Sequence, residues 1–451
     1  MRGIIPIVAI VCTLLAGSMV AGAIESSDFD DPTVCKGCHA EIYNQWDGSM
    51  HSIAYTDPVY LAEEEMASNE TDGLTDTYCA RCHTPIGVLS GEVPPIGHEN
   101  ISEVSKKGIQ CDFCHNVNKS TGIGNGAFMV ALDGFKRGPY DDSKSPSHGS
   151  MLSDLHTKSE FCGMCHDVNH PVTGIPIETT YTEWKEGPYN STTQCQDCHM
   201  TPGITHFEAN PGKASGIGPE RDHIYTHYFV GGNAAVTGVI GSEVHQQMAE
   251  ERLKSAATLV LEAEKKVTEA EITVKVTNVG AGHKLPTGLT EAREAWIEIM
   301  AKDASGKEIY HVGGLDSDGE VDPDAVMYHV VLGDASGNPT VKVWEAESVL
   351  SDNRILPKET RVEKYNFAIP EGVNDPITVE AKLNYRSASQ KFLDELFGKG
   401  ALVAPVIEMA GAEDTIVLGK KAPDEGVPGF ESIFALLSLL VVAYLVRRNV
   451  K

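Results

Sequence analysis

The chain has 451 residues, about two to three domains' worth. Its 41% hydrophobic and 22% charged content is that of a globular protein and not of a disordered one. Thirty-six Lys and Arg against 64 Asp and Glu give a formal net charge of −28, which excludes nucleic acid as a partner and adsorption to anionic lipid through a polybasic patch. In chain order, residues 1–23 read as a secretory signal peptide. Arg2 supplies the positive start, Ile4 to Ala16 the apolar run, and Ala21-Gly22-Ala23 the small-residue cleavage site. An uncleaved N-terminal anchor is the alternative. Cys12 falls inside this run.

The other ten of the 11 cysteines fall into five copies of C-x-x-C-H: Cys35/Cys38/His39, Cys79/Cys82/His83, Cys111/Cys114/His115, Cys162/Cys165/His166 and Cys195/Cys198/His199. This is the attachment signature of c-type haem. Two thiols must reach the two vinyl groups on one edge of a porphyrin, and the next residue must set an imidazole under the iron. Composition alone predicts only about 0.01 occurrences of the pattern in a chain of this make-up. Disulfides do not require a histidine after each second cysteine. Zinc ribbons pair C-x-x-C units, and five units leave one over. The expectation is five covalently bound haems c over a domain spanning 24–240. With one motif per about 33 residues, a conventional core has no room, so the haems themselves fill the interior. Little regular structure is expected beyond short helices carrying each Cys-His end.

Seventeen histidines minus the five proximal ones leave 12 for the sixth coordination position. A haem that only passes electrons is capped on both faces, whereas one that binds substrate leaves a face open. The favoured distal candidates are His51, His148, His156, His227 and His283. His51 closes Tyr43-Asn-Gln-Trp46-Asp-Gly-Ser-Met-His51, and Tyr181-Thr-Glu-Trp184 repeats the Tyr-x-x-Trp frame before the fifth motif without the histidine. His148 and His156 precede the fourth motif. His223 and His227 would share a face if their stretch is helical. His283 stands in the loop Gly282-His-Lys-Leu-Pro-Thr-Gly288. Histidines 311 and 329 lie inside expected strands and read as structural.

The C-x-x-C-H, Tyr-x-x-Trp, Ser-x-His opening, the Phe161–Asp167 segment and His227-Tyr-Phe-Val-Gly-Gly-Asn233 resemble the cytochrome c-552/c-554 group over roughly residues 30–235. The resemblance implies an electron carrier with closely stacked, mostly bis-histidine haem pairs. The Gly-His-x-x-Pro-Thr-Gly segment is similar to one in larger extracytoplasmic multihaem cytochromes with an added β-domain, some archaeal members of which polymerise into conductive filaments.

Beyond the haem motifs, residues 241–267 read as a linker helix. Val244, Met248, Ala256, Leu259, Val260 and Ala263 recur at three- and four-residue steps after the N-cap candidate Ser242. Residues 268–419 read as an antiparallel β-sandwich of immunoglobulin-like size. Ile272, Val274 and Val276, and Ile377, Val379, Ala381, Leu383 and Tyr385, alternate with polar residues. Asp303-Ala-Ser-Gly306 and Asp334-Ala-Ser-Gly337 mark turns. No nucleophile–base pairing or phosphate loop stands out here. Residues 420–431 form a stalk ending in Pro428-Gly429-Phe430, and 432–451 an apolar run closed by Arg447-Arg448. This end resembles the archaeal PGF-CTERM sorting signal, implying membrane attachment at the cell surface. Sequons at Asn69, Asn100, Asn118 and Asn190 fit an exterior location.

The expected function is therefore electron relay at the outer face of an archaeal cell, not catalysis. The expected partners are other redox proteins or extracellular acceptors, with a homopolymer as a structural variant. A multihaem reductase or oxidase of small nitrogen or sulfur compounds is the alternative. Pentahaem nitrite reductases carry a lysine in place of one motif histidine, whereas all five motifs here end in histidine.

Overall fold

The computed structural model describes residues 23–97, 101–239, 242–289 and 291–419. The expected signal segment up to residue 22, the stalk and sorting segment from residue 420, His98 and the Asn100 sequon lie outside the described residues.

The N-terminal region is built from short pieces. The first cysteine of each motif sits on a helix of five to eight residues: Pro32–Lys36, Asp76–His83, Cys111–Asn116, Ser159–Gly163 and Cys195–His199. One helical turn brings the fifth residue of the motif over the first, and the His39 and His166 amides each donate 2.9 Å to the carbonyl of Cys35 and Cys162. Several of these helices start where a side chain satisfies a free amide. Asp31 accepts from Thr33 N, with Pro32 in the first turn, and Gln110 accepts from Asp112 N. Instead of one core there are small clusters between motifs, such as Phe29, Ile86, Phe113, Phe128 and Met164. Two helices carry the Tyr-x-x-Trp frames, α1 (Ala40–Trp46) and α2 (Thr180–Glu186). Just before α2, the ladder β1 (Val168–Asn169) and β2 (Pro176–Glu178) folds back antiparallel.

The C-terminal region opens with α3 (Glu243–Ala256), after which β3 (Ala257–Lys265) and β4 (Glu269–Asn278) form a hairpin. Next come β5 (Glu294–Lys302), β6 (Glu308–Val312), β7 (Thr360–Ala368), β8 (Ile377–Arg386) and β9 (Ile407–Ile416). One sheet has the order β7-β4-β3 and a second runs β6-β5-β8-β9, all pairs antiparallel. Period-two alternation places Ile272, Val274 and Val276 on the inner face of one sheet and Ile297, Ile299, Val379 and Leu383 on that of the other. These residues belong to a single hydrophobic cluster. Both Asp-Ala-Ser-Gly segments form the expected turns. Asp303 and Asp334 accept from the amides of Ser305 and Ser336 at 2.8 Å, and Gly306 and Gly337 take φ of +82° and +80°. The sheets are antiparallel and do not close into a barrel.

Two expectations are corrected. The helix expected over 241–267 ends at Ala256, and Ala257–Lys265 is a strand. Leu259 and Leu261 are buried while Val260 is half exposed, a period-two pattern that the helical reading had spread over three- and four-residue steps. What decides it is β4, which supplies a complete ladder partner from Ala257 to Lys265. The stretch from His223 to Val230 is not helical, so His223 and His227 share no helix face. His223 Nδ1 instead accepts from the Asn210 amide.

Candidate functional site

A cavity of about 1560 Å³ runs through the N-terminal region. All ten motif cysteines and all five motif histidines line it, as do His51, His148, His156, His227 and His283. None of the ten thiols is in a disulfide.

The motif imidazoles are oriented by what their Nδ1 atoms meet. His39 Nδ1 lies 2.6 Å from Ala214 O, His83 Nδ1 2.7 Å from Ala54 O, His115 Nδ1 2.5 Å from Arg137 O and His199 Nδ1 2.9 Å from Val230 O. His166 Nδ1 lies 3.2 Å from the carboxylate Oε1 of Glu178. With each Nδ1 engaged as a donor, the lone pair is left on Nε2, the tautomer that binds a metal through that atom. The donor set therefore fits covalent haem: free thiols in pairs, an oriented imidazole beside each pair, and an apolar space to hold the macrocycles.

The two Tyr-x-x-Trp frames position later motifs. Trp46 Nε1 donates to Ile109 O at 2.8 Å, and Trp184 Nε1 donates to Thr193 O at 2.8 Å. Each acceptor lies two residues before the first cysteine of a motif, Cys111 and Cys195. Each tyrosine packs tilted on its tryptophan, with ring centroids 5.7 and 5.4 Å apart. The sequence repeat is thus a structural repeat: a motif, a frame helix, and the entrance to a second motif. The thiols follow the same pairing, Cys35 lying within hydrogen-bonding reach of Cys111 and Cys162 of Cys195. Cys82 reaches Cys165, which ties the second motif to the fourth.

Three distal candidates face motif histidines. His51 lies 6.1 Å from His166 between ring centroids, His283 6.5 Å from His199, and His156 5.7 Å from His115. His156 Nε2 also lies 3.1 Å from Cys114 O. His227 meets Phe229 edge-on at 5.3 Å, and His148 borders the cavity with Nδ1 2.9 Å from Gly149 O. Burial, helped by neighbouring imidazoles, holds His51 and His227 down at about 3 and His156 at about 4, so all three are neutral. Burial also lowers His83, His115, His199 and His283. His170 and His206 border the cavity too. His170 serves structure: its Nδ1 accepts from the Val172 and Thr173 amides, and its Nε2 lies 3.1 Å from Trp344 O. His311 pairs with Glu298 on the β-region surface, away from the cavity.

The β region is clamped to this site. Glu183 of α2 accepts from Thr287 Oγ1 at 2.8 Å and from the Lys284 amide at 3.2 Å, and it pairs with the buried Arg354. Those contacts seat the loop that carries His283. Arg252 of α3 donates to Cys198 O at 2.9 Å, and His245 Nε2 meets Gln45 O at 2.9 Å. Glu178, Glu183 and Arg252 carry no motif signal in the sequence. Only the repeat around Trp46 and Trp184 pointed toward any residue that orients the motifs.

In fold and motif the chain resembles the multihaem c-type cytochromes. Residues 34–116 match the family model described as cytochrome c554 and c-prime, and residues 427–449 match the PGF-CTERM motif. The penta-haem cytochrome c552 from Thermochromatium tepidum is similar at 21% identity, over 86% of this chain and 99% of that one, with a TM-score of 0.64. A CARDB domain from Pyrococcus furiosus is similar at 14% identity over 36% of this chain and 86% of that one, but its TM-score of 0.15 carries no argument. No curated protein matches. The PGF-CTERM match marks a secreted protein anchored to the membrane at the archaeal cell surface. Among the described residues, no helix is long and apolar enough to cross a membrane.

Proposed function

We propose that this protein holds five covalent haems c and relays electrons at the cell surface between redox partners or to an extracellular acceptor. The observation that carries the reading is the shared cavity, which gathers ten unpaired thiols, five oriented imidazoles and further imidazoles facing three of them. A metal–imidazole bond of about 2 Å on each face, with the ring radii added, separates facing ring centroids by about 6 Å. The three observed separations support bis-histidine pairs His166/His51, His199/His283 and His115/His156, the last after His156 turns from Cys114 O. His227 and His148 are the candidates for the remaining positions. Bound haem supplies reversible one-electron chemistry. The residues orient its ligands, exclude water and set the approach between neighbouring sites. The acidic surface favours basic partners or metal cations. We read the β region as a sandwich-type docking module that also donates His283.

The test is intact mass and EPR of the mature protein. Five haem additions with low-spin signals throughout support the reading, and fewer additions refute it. Negative-stain imaging separates a monomer from a filament.

A second reading, one open haem acting on a small nitrogen or sulfur compound, is favoured by the groups near the second motif. Burial pushes Glu63 and Glu64 up to about 7 and Glu291 up to about 8. Glu291 Oε2 is buried and has no hydrogen-bond partner. Such acids hold protons near neutral pH, as acid–base work requires. Binding of carbon monoxide to the reduced protein would support this reading, and a reduced spectrum unchanged by it would exclude it.

A further inference from the structure

Four motif histidines direct Nδ1 at main-chain carbonyls, whereas His166 directs it at a carboxylate. The local fold explains why. The β1–β2 ladder pairs Val168 with Glu178, so the chain that leaves the fourth motif returns beside its histidine. Thr180 Oγ1 donates to Glu178 Oε1 at 3.3 Å and meets Thr287 Oγ1 at 2.8 Å, so the loop carrying His283 braces the carboxylate. Glu178 Oε1 is thus held between the His166 imidazole and the Thr180 hydroxyl.

Resting on the five-haem reading, we propose that Glu178 is a positioning residue that fixes the His166 tautomer and lowers the midpoint potential of the haem held by Cys162, Cys165 and His166. A carboxylate draws the Nδ1 proton more strongly than a carbonyl does and so increases electron donation from Nε2. Stronger donation favours ferric over ferrous iron, and no proton or ligand need change place in the one-electron step. The location gives the effect a consequence. Cys162 lies against Cys195 and Cys165 against Cys82, and Cys114 and Cys165 pack against one apolar cluster. The fourth site is where the second, third and fifth motifs meet. A lowered potential there makes it the uphill step for electrons passing between those branches.

The test is spectroelectrochemical titration of the full-length holoprotein and its Glu178→Gln variant, with haem count by intact mass. The expected result is five haems retained, one midpoint potential raised, an altered low-spin EPR signal for that haem, and four potentials unmoved. Five haems with no potential moved, or with all moved together, overturns the inference. Absence of haem from the fourth motif in the unmutated protein would instead overturn the five-haem reading. Should Glu178→Gln fail to load haem, Glu178→Asp keeps the charge but draws it back by one methylene. A partial rise of the same potential is then expected, and an unmoved one overturns the inference.

Discussion

Replacing Arg354 by methionine should loosen the seat of His283, and the cost can be worked from the contacts. Arg354 and Glu183 are nearly fully buried, with side-chain exposures of 5% and 3%. Removing one partner of such a pair leaves an uncompensated buried charge, at a cost of about 3–5 kcal/mol. Glu183 keeps its bonds from Thr179, Thr287 and the Lys284 amide, and Asp352 keeps Lys284. The loss should therefore fall near the lower end, about 3 kcal/mol. Glu183→Gln should recover much of it in the double variant, because no bare carboxylate then remains. Guanidinium unfolding of the holoprotein, followed by Soret circular dichroism, measures both. A single variant within about 1 kcal/mol of the parent would refute the reasoning, since surface pairs cost that little. A double variant no more stable than Arg354→Met would refute it as well.

Trp184→Phe should leave the Thr193 carbonyl without its donor and cost about 1–3 kcal/mol, and Trp46→Phe should act likewise at Ile109. Peptide mass mapping should then show a haem missing at the fifth motif for the first variant and at the third for the second. The raised carboxyls set a pH dependence. Glu63, Glu64 and Glu291 are protonated in the folded state up to about 7, 7 and 8, whereas the unfolded chain ionises them near 4.5. The folded state thus binds more protons between those values, and stability falls as pH rises toward 8. Guanidinium midpoints at pH 6.5 and pH 8 should differ in that direction, and by less in Glu291→Gln. Leu383→Ala, at a position 1% exposed in the β core, should cost about 2–5 kcal/mol in thermal or chemical unfolding without changing the haem count.

The sequence by itself determined what lies within a few residues. The motif cysteine and histidine positions are legible because haem attachment would need two thiols and a histidine on one helical turn. The strands at Ile272–Val276 and Ile377–Tyr385 are legible because a two-sided sheet imposes alternation. The Tyr43/Trp46 and Tyr181/Trp184 repeat was also visible, although its purpose was not. The carbonyls that those indoles hold lie 63 and nine positions away.

Tertiary structure alone decided which histidines face one another, because a distal imidazole is chosen by where the chain passes over a motif. His283 reaches His199 from another region of the chain, and His51 reaches His166 past two intervening motifs. It also decided that Ala257–Lys265 is a strand, since β4 offers it a ladder. Glu178 is the sharpest case. In the sequence it is one acidic residue among 64, and only the fold-back of β1 on β2 sets it against a motif histidine. The chemistry of attachment is local and so was written in spacing. The orientation of the motif imidazoles depends on contacts between distant segments, and spacing does not record those.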